Sequence, residues 1–94
     1  MKKIVIEDRK YEIIKNFNNA FDLDEFKERF TDYFYDFDYI VGDYSYEKLR
    51  LKGFYDSKNK KVRSINNAKD IEKYISDYCN YNAKHFILKK QKKR

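Results

Sequence analysis

The sequence contains few of the residues that form covalent cross-links or metal sites. It has one cysteine, Cys79, one histidine, His85, and neither proline nor tryptophan. A single thiol cannot form an internal disulfide, and this pair falls short of a cysteine-based zinc site. We therefore expect no metal and no cofactor. The free thiol and the lack of a signal segment predict a cytoplasmic protein.

Glycine and long apolar runs are also scarce. The apolar runs are too short to cross a membrane, so we expect no membrane contact. The two glycines, Gly42 and Gly53, both lie within residues 39–55. Neither belongs to a glycine-rich phosphate loop, so crowded sheet packing is the favoured interpretation. The alternative is a backbone that a ligand approaches closely.

Aromatic residues are abundant, and they make a small core possible. The 94 residues include ten tyrosines and eight phenylalanines, which bury a large area per residue. The predicted fold class is α+β, with element order β-β-α-β-β-α-β. We expect a single two-layer domain over residues 1–90, with a mixed or antiparallel sheet of about five strands and two helices. Residues 91–94 form a basic tail.

Hydrophobic spacing places the elements of the first half. A hairpin is predicted from residues 3–6 and 11–17, with Tyr11, Ile13 and Phe17 on one face. A short helix follows, capped by Asp22 or Asp24 and ending near Asp32. Its apolar residues recur at helical spacing: Leu23, Phe26 and Phe30.

The elements of the second half are placed by the same kind of spacing. Residues 39–44 and 49–55 form a hairpin in which Leu49 and Leu51 are buried while Arg50 and Lys52 are at least half exposed. A helix starts at Asn66 or Asn67 and ends at residues 80–82. Its buried stripe comprises Ile71, Tyr74, Ile75 and Tyr78. The last strand, residues 85–89, places Phe86 and Leu88 on one face.

Two segments of this hairpin resemble a known family. Residues 39–44, Tyr-Ile-Val-Gly-Asp-Tyr, and 49–55, Leu-Arg-Leu-Lys-Gly-Phe-Tyr, resemble the central signature of the YutD-like family. Residues 77–81 and 86–88 resemble its C-terminal block, so the resemblance spans about residues 3–90. Tyr44 stands where the family usually has tryptophan, Ser45 where it has glycine, and residues 82–84 where it has Gly-Cys-Ala. Because Ser45 is not glycine, we do not expect a left-handed backbone there.

The resemblance implies a cytoplasmic protein without an assigned biochemical activity. It brings no catalytic residues to this chain. Any statement about function must therefore rest on the residues themselves.

Charge is unevenly distributed along the chain. Residues 22–47 carry two basic and nine acidic side chains, whereas residues 48–94 carry fifteen basic and four acidic ones, a net charge of +11. Such asymmetry is typical of an anion-binding surface. AT-rich coding bias is an equally strong explanation, since lysine outnumbers arginine 17 to 5.

A basic and aromatic surface on the second hairpin is the leading candidate site. Bases stack on aromatic rings while cations hold phosphates, so such a surface suits single-stranded nucleic acid. The candidate binding residues are Tyr44, Tyr46, Arg50, Lys52, Phe54, Lys58, Lys60, Lys61 and Arg63, with the tail from Lys89 to Arg94. Gly42, Asp43 and Gly53 are its structural residues. The alternative is a solvated strand face.

A catalytic site has weaker support. Asp43, Glu47, Arg50 and His85 could form an acid–base set, but no spacing enforces it. Asp43 is expected to accept hydrogen bonds from turn amides, and His85 to be partly exposed or satisfied within the core. Cys79 is expected to be a small buried apolar residue.

Three functions remain open. The leading hypothesis is a non-enzymatic module that binds RNA or a ribonucleoprotein, as a ribosome-associated protein would. The alternative is a protein–protein adaptor that uses the same hairpin or the acidic first helix. The third is a metal-dependent phosphate-ester hydrolase.

Overall fold

A computed structural model describes residues 2–78 and 83–91 of the chain. The secondary-structure elements are β1 Lys3–Ile6, β2 Arg9–Phe17, α1 Leu23–Arg29, β3 Tyr39–Ser45, β4 Lys48–Phe54, α2 Ile71–Tyr78 and β5 His85–Lys90. Short 3-10 turns lie at Asp32–Phe34 and Ala68–Asp70. Within these described ranges, no helix is long and apolar enough to cross a membrane.

The five strands form one antiparallel sheet in the order β1-β2-β5-β3-β4. The predicted element order and the α+β fold class are confirmed. β5, the last strand in sequence, lies at the centre of the sheet between β2 and β3. β1 and β4 are therefore the two edge strands.

A β-bulge changes which residues of β2 share a face. The register between β2 and β5 shifts between Ile13 and Lys15, and a bulge of one residue reverses the inward and outward positions beyond it. Tyr11 and Ile13 consequently lie in one core cluster, while Phe17 lies opposite His85 on the other face. The prediction that all three share a face was wrong for Phe17.

The first helix covers one face of the sheet. The Asp22 side chain caps α1 by accepting a hydrogen bond from the Glu25 N–H at 3.2 Å, as predicted. α1 ends at Arg29, earlier than expected. The cluster beneath it joins helix residues to all five strands and includes Ile4, Ile6, Tyr11, Ile13, Phe26, Phe30, Ile40, Leu49, Phe86 and Leu88.

The second helix covers the opposite face. Asn67 caps the 3-10 turn that leads into α2, accepting a hydrogen bond from the Lys69 N–H at 3.1 Å. The α2 cluster contains Val41, Phe54, Ile71, Ile75 and Ile87, with Tyr74 packed against it. Ile40 and Val41 are neighbours in β3 yet belong to different clusters, so the helices lie on opposite sides. The expected two-layer arrangement is thus corrected to helix, sheet, helix.

The helical stripe is confirmed for the described residues. Ile71 and Ile75 are buried and Tyr74 packs on the cluster. The Tyr78 side chain, the end of the helix at residues 80–82 and Cys79 lie outside the described residues, as do residues 92–94 of the basic tail.

Candidate functional site

The tip of the β3–β4 hairpin is a two-residue turn. Ser45 pairs with Lys48, and the two residues between them, Tyr46 and Glu47, have φ values of 51° and 65°. Two consecutive positive φ values define a type I′ turn, which normally favours glycine or asparagine. Ser45 belongs to the strand, and the left-handed conformation falls on the two residues after it.

Tyr46 is the most unusual residue of this turn. Its side chain is 98% exposed. Among the described residues, the other non-glycine positions with positive φ are asparagine, aspartate or glutamate, and a bulky residue there costs about 1–2 kcal/mol. Tyr46 is one of the binding residues predicted from the sequence, and its side chain lies almost wholly in solvent.

An ion pair between a buried carboxylate and a half-exposed guanidinium lies below the tip. Asp43 and Arg50 face each other across β3 and β4. Arg50 Nη2 lies 2.5 Å from Asp43 Oδ2, and Nε lies 3.3 Å from Oδ1. Asp43 is only 2% exposed, and a buried carboxylate requires such a paired cation. The expectation that Asp43 accepts turn amides was therefore wrong, because it lies within a strand.

His85 is the next cross-strand neighbour after Arg50 and Asp43, so the three form one row across the sheet. It lies opposite Asp43 on one side and opposite Phe17 on the other. It is 4% exposed, its Nδ1 lies 3.1 Å from the Ala83 carbonyl oxygen, and its ring stacks on Phe17 at 5.0 Å. Its Nε2 is buried, and within residues 2–78 and 83–91 it has no hydrogen-bond partner.

Three of the four predicted acid–base residues thus occupy one row, Asp43, Arg50 and His85. Glu47 is exposed at the hairpin tip, two residues beyond Ser45 at the end of β3. The position of Phe17 beside His85 was not predicted, because the β-bulge that turns it there is not visible in the hydrophobic pattern of the sequence. In the described part of the chain, no group of three or more histidine, cysteine or carboxylate side chains could hold a metal ion.

The expected aromatic surface is not assembled. Phe54 is 1% exposed, and its ring packs edge-on against Tyr74 at 5.5 Å. Lys52 is half-buried, with its Nζ 5.1 Å from the centre of the Phe54 ring. Both expectations of exposure were wrong, because α2 covers this end of the strand face. Phe54 has no free face on which a base could stack.

Tyr44 lies on the opposite face from Arg50. It pairs with Leu49, whose side chain is in the cluster under α1. Its hydroxyl donates to the Ala20 carbonyl at 3.0 Å and also contacts Glu25. The predicted grouping of Tyr44 with Arg50 is therefore corrected by strand alternation.

The inward positions of β4 were predicted more successfully. Leu49 is buried and Arg50 is half exposed, as expected, whereas Leu51 is only half-buried. A Cβ atom on Gly42 would overlap the Phe86 ring, and one on Gly53 would overlap the Phe37 ring. The preferred interpretation of both glycines, crowded packing, is confirmed.

The loop after β4, residues 56–63, carries four basic residues, and its own polar side chains hydrogen-bond its backbone. Asp56 accepts from the Lys58 N–H and Asn59 from the Lys61 N–H, both at 2.9 Å. Asp38 holds the loop to the sheet by accepting from the Asp56 N–H at 2.8 Å. These side chains thus satisfy backbone N–H groups along the loop.

The cations of this loop differ in their surroundings. Lys61 Nζ lies 2.9 Å from Asp36, and this ion pair lowers the pKa of the Asp36 carboxyl. Lys58, Lys60 and Arg63 are exposed. In the last strand Lys89 is exposed, while Lys90 Nζ donates to the Tyr35 carbonyl at 3.1 Å. Lys61 is exposed as well, so all four loop cations and Lys89 are accessible to solvent.

Comparison with known proteins places this fold in a family. Residues 5–89 match the family described as "Putative antitoxin YutD-like". The chain is 39% identical over 90 residues to "Putative antitoxin YutD" of Bacillus subtilis (strain 168), covering 96% of this chain and 99% of that protein. The solution NMR structure of YutD from B. subtilis matches with a TM-score of 0.81 at 38% identity, covering 99% of this chain and 84% of that one. The chain belongs to the YutD-like family.

Proposed function

We propose that this chain is a non-enzymatic cytoplasmic protein that binds and restrains a partner protein through the tip of its β3–β4 hairpin. The observation that carries the proposal is Tyr46. A fully exposed tyrosine in a left-handed turn costs stability and gains no intramolecular packing in return. Local strain of this kind is concentrated at functional positions.

The chemistry of the tip suits a protein partner. Tyrosine and arginine are enriched among the residues that dominate protein interfaces, and Tyr46 is followed by exposed Lys48 and half-exposed Arg50. The Asp43–Arg50 ion pair and the packing of Gly42 on Phe86 hold the strands beneath them. Such a rigid base reduces the entropy lost on binding.

The description of the family suggests what binding does to the partner. The curated relative is called a putative antitoxin, and an antitoxin that acts by binding needs a docking surface rather than a catalytic site. We infer that this chain neutralises a toxic protein by occupying it.

Photo-crosslinking from the hairpin tip tests this proposal. p-Benzoylphenylalanine placed at position 46 should crosslink to a protein in a lysate treated with RNase, whereas the same group at Tyr33, another exposed tyrosine, should not. The captured protein should arrest growth when expressed alone. Co-expression of this chain should restore growth, and Tyr46→Ala should abolish the rescue while Tyr33→Ala preserves it. Equal crosslinking from both positions, or rescue by Tyr46→Ala, would contradict the proposal.

RNA or ribonucleoprotein binding is a second candidate function, supported by the exposed cations of the loop after β4. Lys58, Lys60 and Arg63 project from a backbone fixed by Asp56 and Asn59. Phosphate contacts of this kind release counterions, so affinity would fall steeply with salt. Fluorescence anisotropy with a labelled single-stranded RNA at two salt concentrations tests it. Replacement of all three cations by glutamine should abolish binding, and Lys27→Gln on α1 is the matched control.

A further inference from the structure

We propose that the outer edge of β4 receives an extended, acidic segment of a partner protein as a sixth, antiparallel strand. This inference rests on the proposed function, since it names how a partner protein engages the hairpin. It concerns the backbone beside the tip and the charges along the strand.

The hairpin geometry determines which backbone groups face outward. Ser45 and Lys48 flank a two-residue turn, so they form a hydrogen-bonded pair, and such pairs recur at every second residue. The N–H and C=O groups of Arg50 and Lys52 consequently point to β3. Those of Leu49, Leu51 and Gly53 point away from the sheet.

The next outward residue supports this assignment. Tyr55 N–H donates to the Asn66 carbonyl at 2.7 Å, and the Tyr55 carbonyl accepts from the Ala68 N–H at 2.8 Å. The chain itself therefore occupies the strand position beside Tyr55. Along Leu49–Gly53 the same position is open, because β4 pairs only with β3 among the described residues.

The opposite edge strand, β1, is shorter and has fewer backbone groups to pair with an added strand. β1 has four residues, against seven in β4. A longer edge gives more main-chain hydrogen bonds to an added strand, which is the source of affinity in strand addition. Natural proteins often carry charged residues on edge strands, which prevent pairing with another chain. On β4 these charges are all positive.

That charge specifies the occupant. Lys48, Arg50 and Lys52 alternate along one face of β4, where Arg50 pairs with Asp43. Opposite charges across neighbouring strands are favourable and like charges directly opposite are unfavourable. A second copy of β4 would place cations against cations. An incoming strand with acidic residues at every second position would place carboxylates opposite Lys48 and Lys52 and beside the Arg50–Asp43 pair.

One end of the open edge borders a groove on the face covered by α2. Ile65 is 72% exposed and lines the groove with Phe54 and Tyr74, beside Lys52, and Ser64 and Asp70 line it as well. The charges of Lys73 and Asp77, which also line it, form an ion pair at 3.5 Å. The residue of an antiparallel strand opposite Phe54 would lie on this face, so we expect an apolar residue at its N-terminal end.

A synthetic strand tests the inference on the intact protein. The probe is a fluorescein-labelled peptide that starts with leucine, opposite Phe54, and then alternates valine with glutamate over six residues. In the proposed register the valines face Leu49, Leu51 and Gly53, so N-methylation of the valines should abolish binding. N-methylation of the glutamates, whose N–H groups face away, should leave it unchanged. A peptide with lysine in place of glutamate should not bind.

Protein variants complete the test. Lys48→Glu combined with Lys52→Glu should weaken binding about tenfold, whereas Lys27→Glu, which reverses an exposed lysine on α1, should not change it. Amide resonances of Leu49, Leu51 and Gly53 should shift in an NMR titration. Equal binding of both N-methylated peptides, equal binding of the lysine peptide, or no shifts at millimolar peptide would overturn the inference. Self-association competed by the peptide would instead assign the edge to a second copy.

The two proposals fail separately. If the Lys48→Glu, Lys52→Glu protein still crosslinks from position 46 and still rescues growth, the proposed function stands and the strand-addition inference falls. If the peptide binds as described but no captured protein arrests growth, the edge is a peptide site and the neutralising function falls.

Discussion

Replacing Phe54 by alanine should destabilise the protein severely without removing a binding contact. Phe54 is 1% exposed and lies in the cluster with Val41, Ile71, Ile75 and Ile87. Removal of a buried phenylalanine side chain costs about 3–5 kcal/mol. Small domains have a free energy of unfolding of about 5–15 kcal/mol in total, so the variant should unfold at a much lower urea concentration.

Tyr46→Ala is the matched control, since both aromatic residues belong to the same hairpin. Tyr46 is fully exposed, and its truncation should change the free energy of unfolding by less than about 0.5 kcal/mol. Urea denaturation followed by far-ultraviolet circular dichroism measures both values. The slope against urea should stay constant across the three proteins.

The opposite pattern would refute the placement of both residues. A loss under about 1 kcal/mol for Phe54→Ala would mean that α2 does not cover it. Phe54 would then be available to stack on bases, and the basic and aromatic surface predicted from the sequence would again be a candidate site.

Three further predictions concern other parts of the fold. Tyr11→Phe should raise the free energy of unfolding by about 1 kcal/mol, because the buried Tyr11 hydroxyl has no hydrogen-bond partner among the described residues; a decrease in urea melts would reveal a partner. Gly42→Ala should cost about 1–3 kcal/mol by overpacking against the Phe86 ring, and Phe86→Leu in the same chain should recover part of that loss, as a double-mutant cycle would measure. Burial raises the pKa of Tyr11 and of Tyr44 to about 12, from 10.0. The folded state therefore keeps protons that the unfolded state releases, so stability should fall as pH rises from 10 towards 12, and Tyr11→Phe should flatten that fall.

Local patterns in the sequence predicted the elements well. The alternation of Leu49, Arg50 and Leu51 predicted the sides of β4, and the spacing of Ile71 and Ile75 predicted the buried stripe of α2. These signals succeed because the period of a strand or helix is a property of the local backbone. Capping by Asp22 was predictable for the same reason.

Long-range packing was not predictable from the same patterns. The sequence places Arg50, Lys52 and Phe54 on one face of β4, which is correct, but it does not say that α2 crosses that face at one end. Nor does it reveal the bulge that brings Phe17 to His85. The partner of Asp43 depends on the register of the hairpin, and a register is set by the whole sheet.

The solvent exposure of side chains increases from the base of the β3–β4 hairpin to its tip. Phe54 is buried at the base, Lys52 is half-buried above it, and Lys48 and Tyr46 are exposed at the tip. Changes at the base should therefore act on folding, and changes at the tip on binding, although both belong to the same hairpin. A rigid strand pair anchored at one end and bare at the other loses little entropy when a partner engages it. A structural scaffold would not need an exposed, strained tyrosine at that end, so the gradient itself favours recognition as the role of this hairpin.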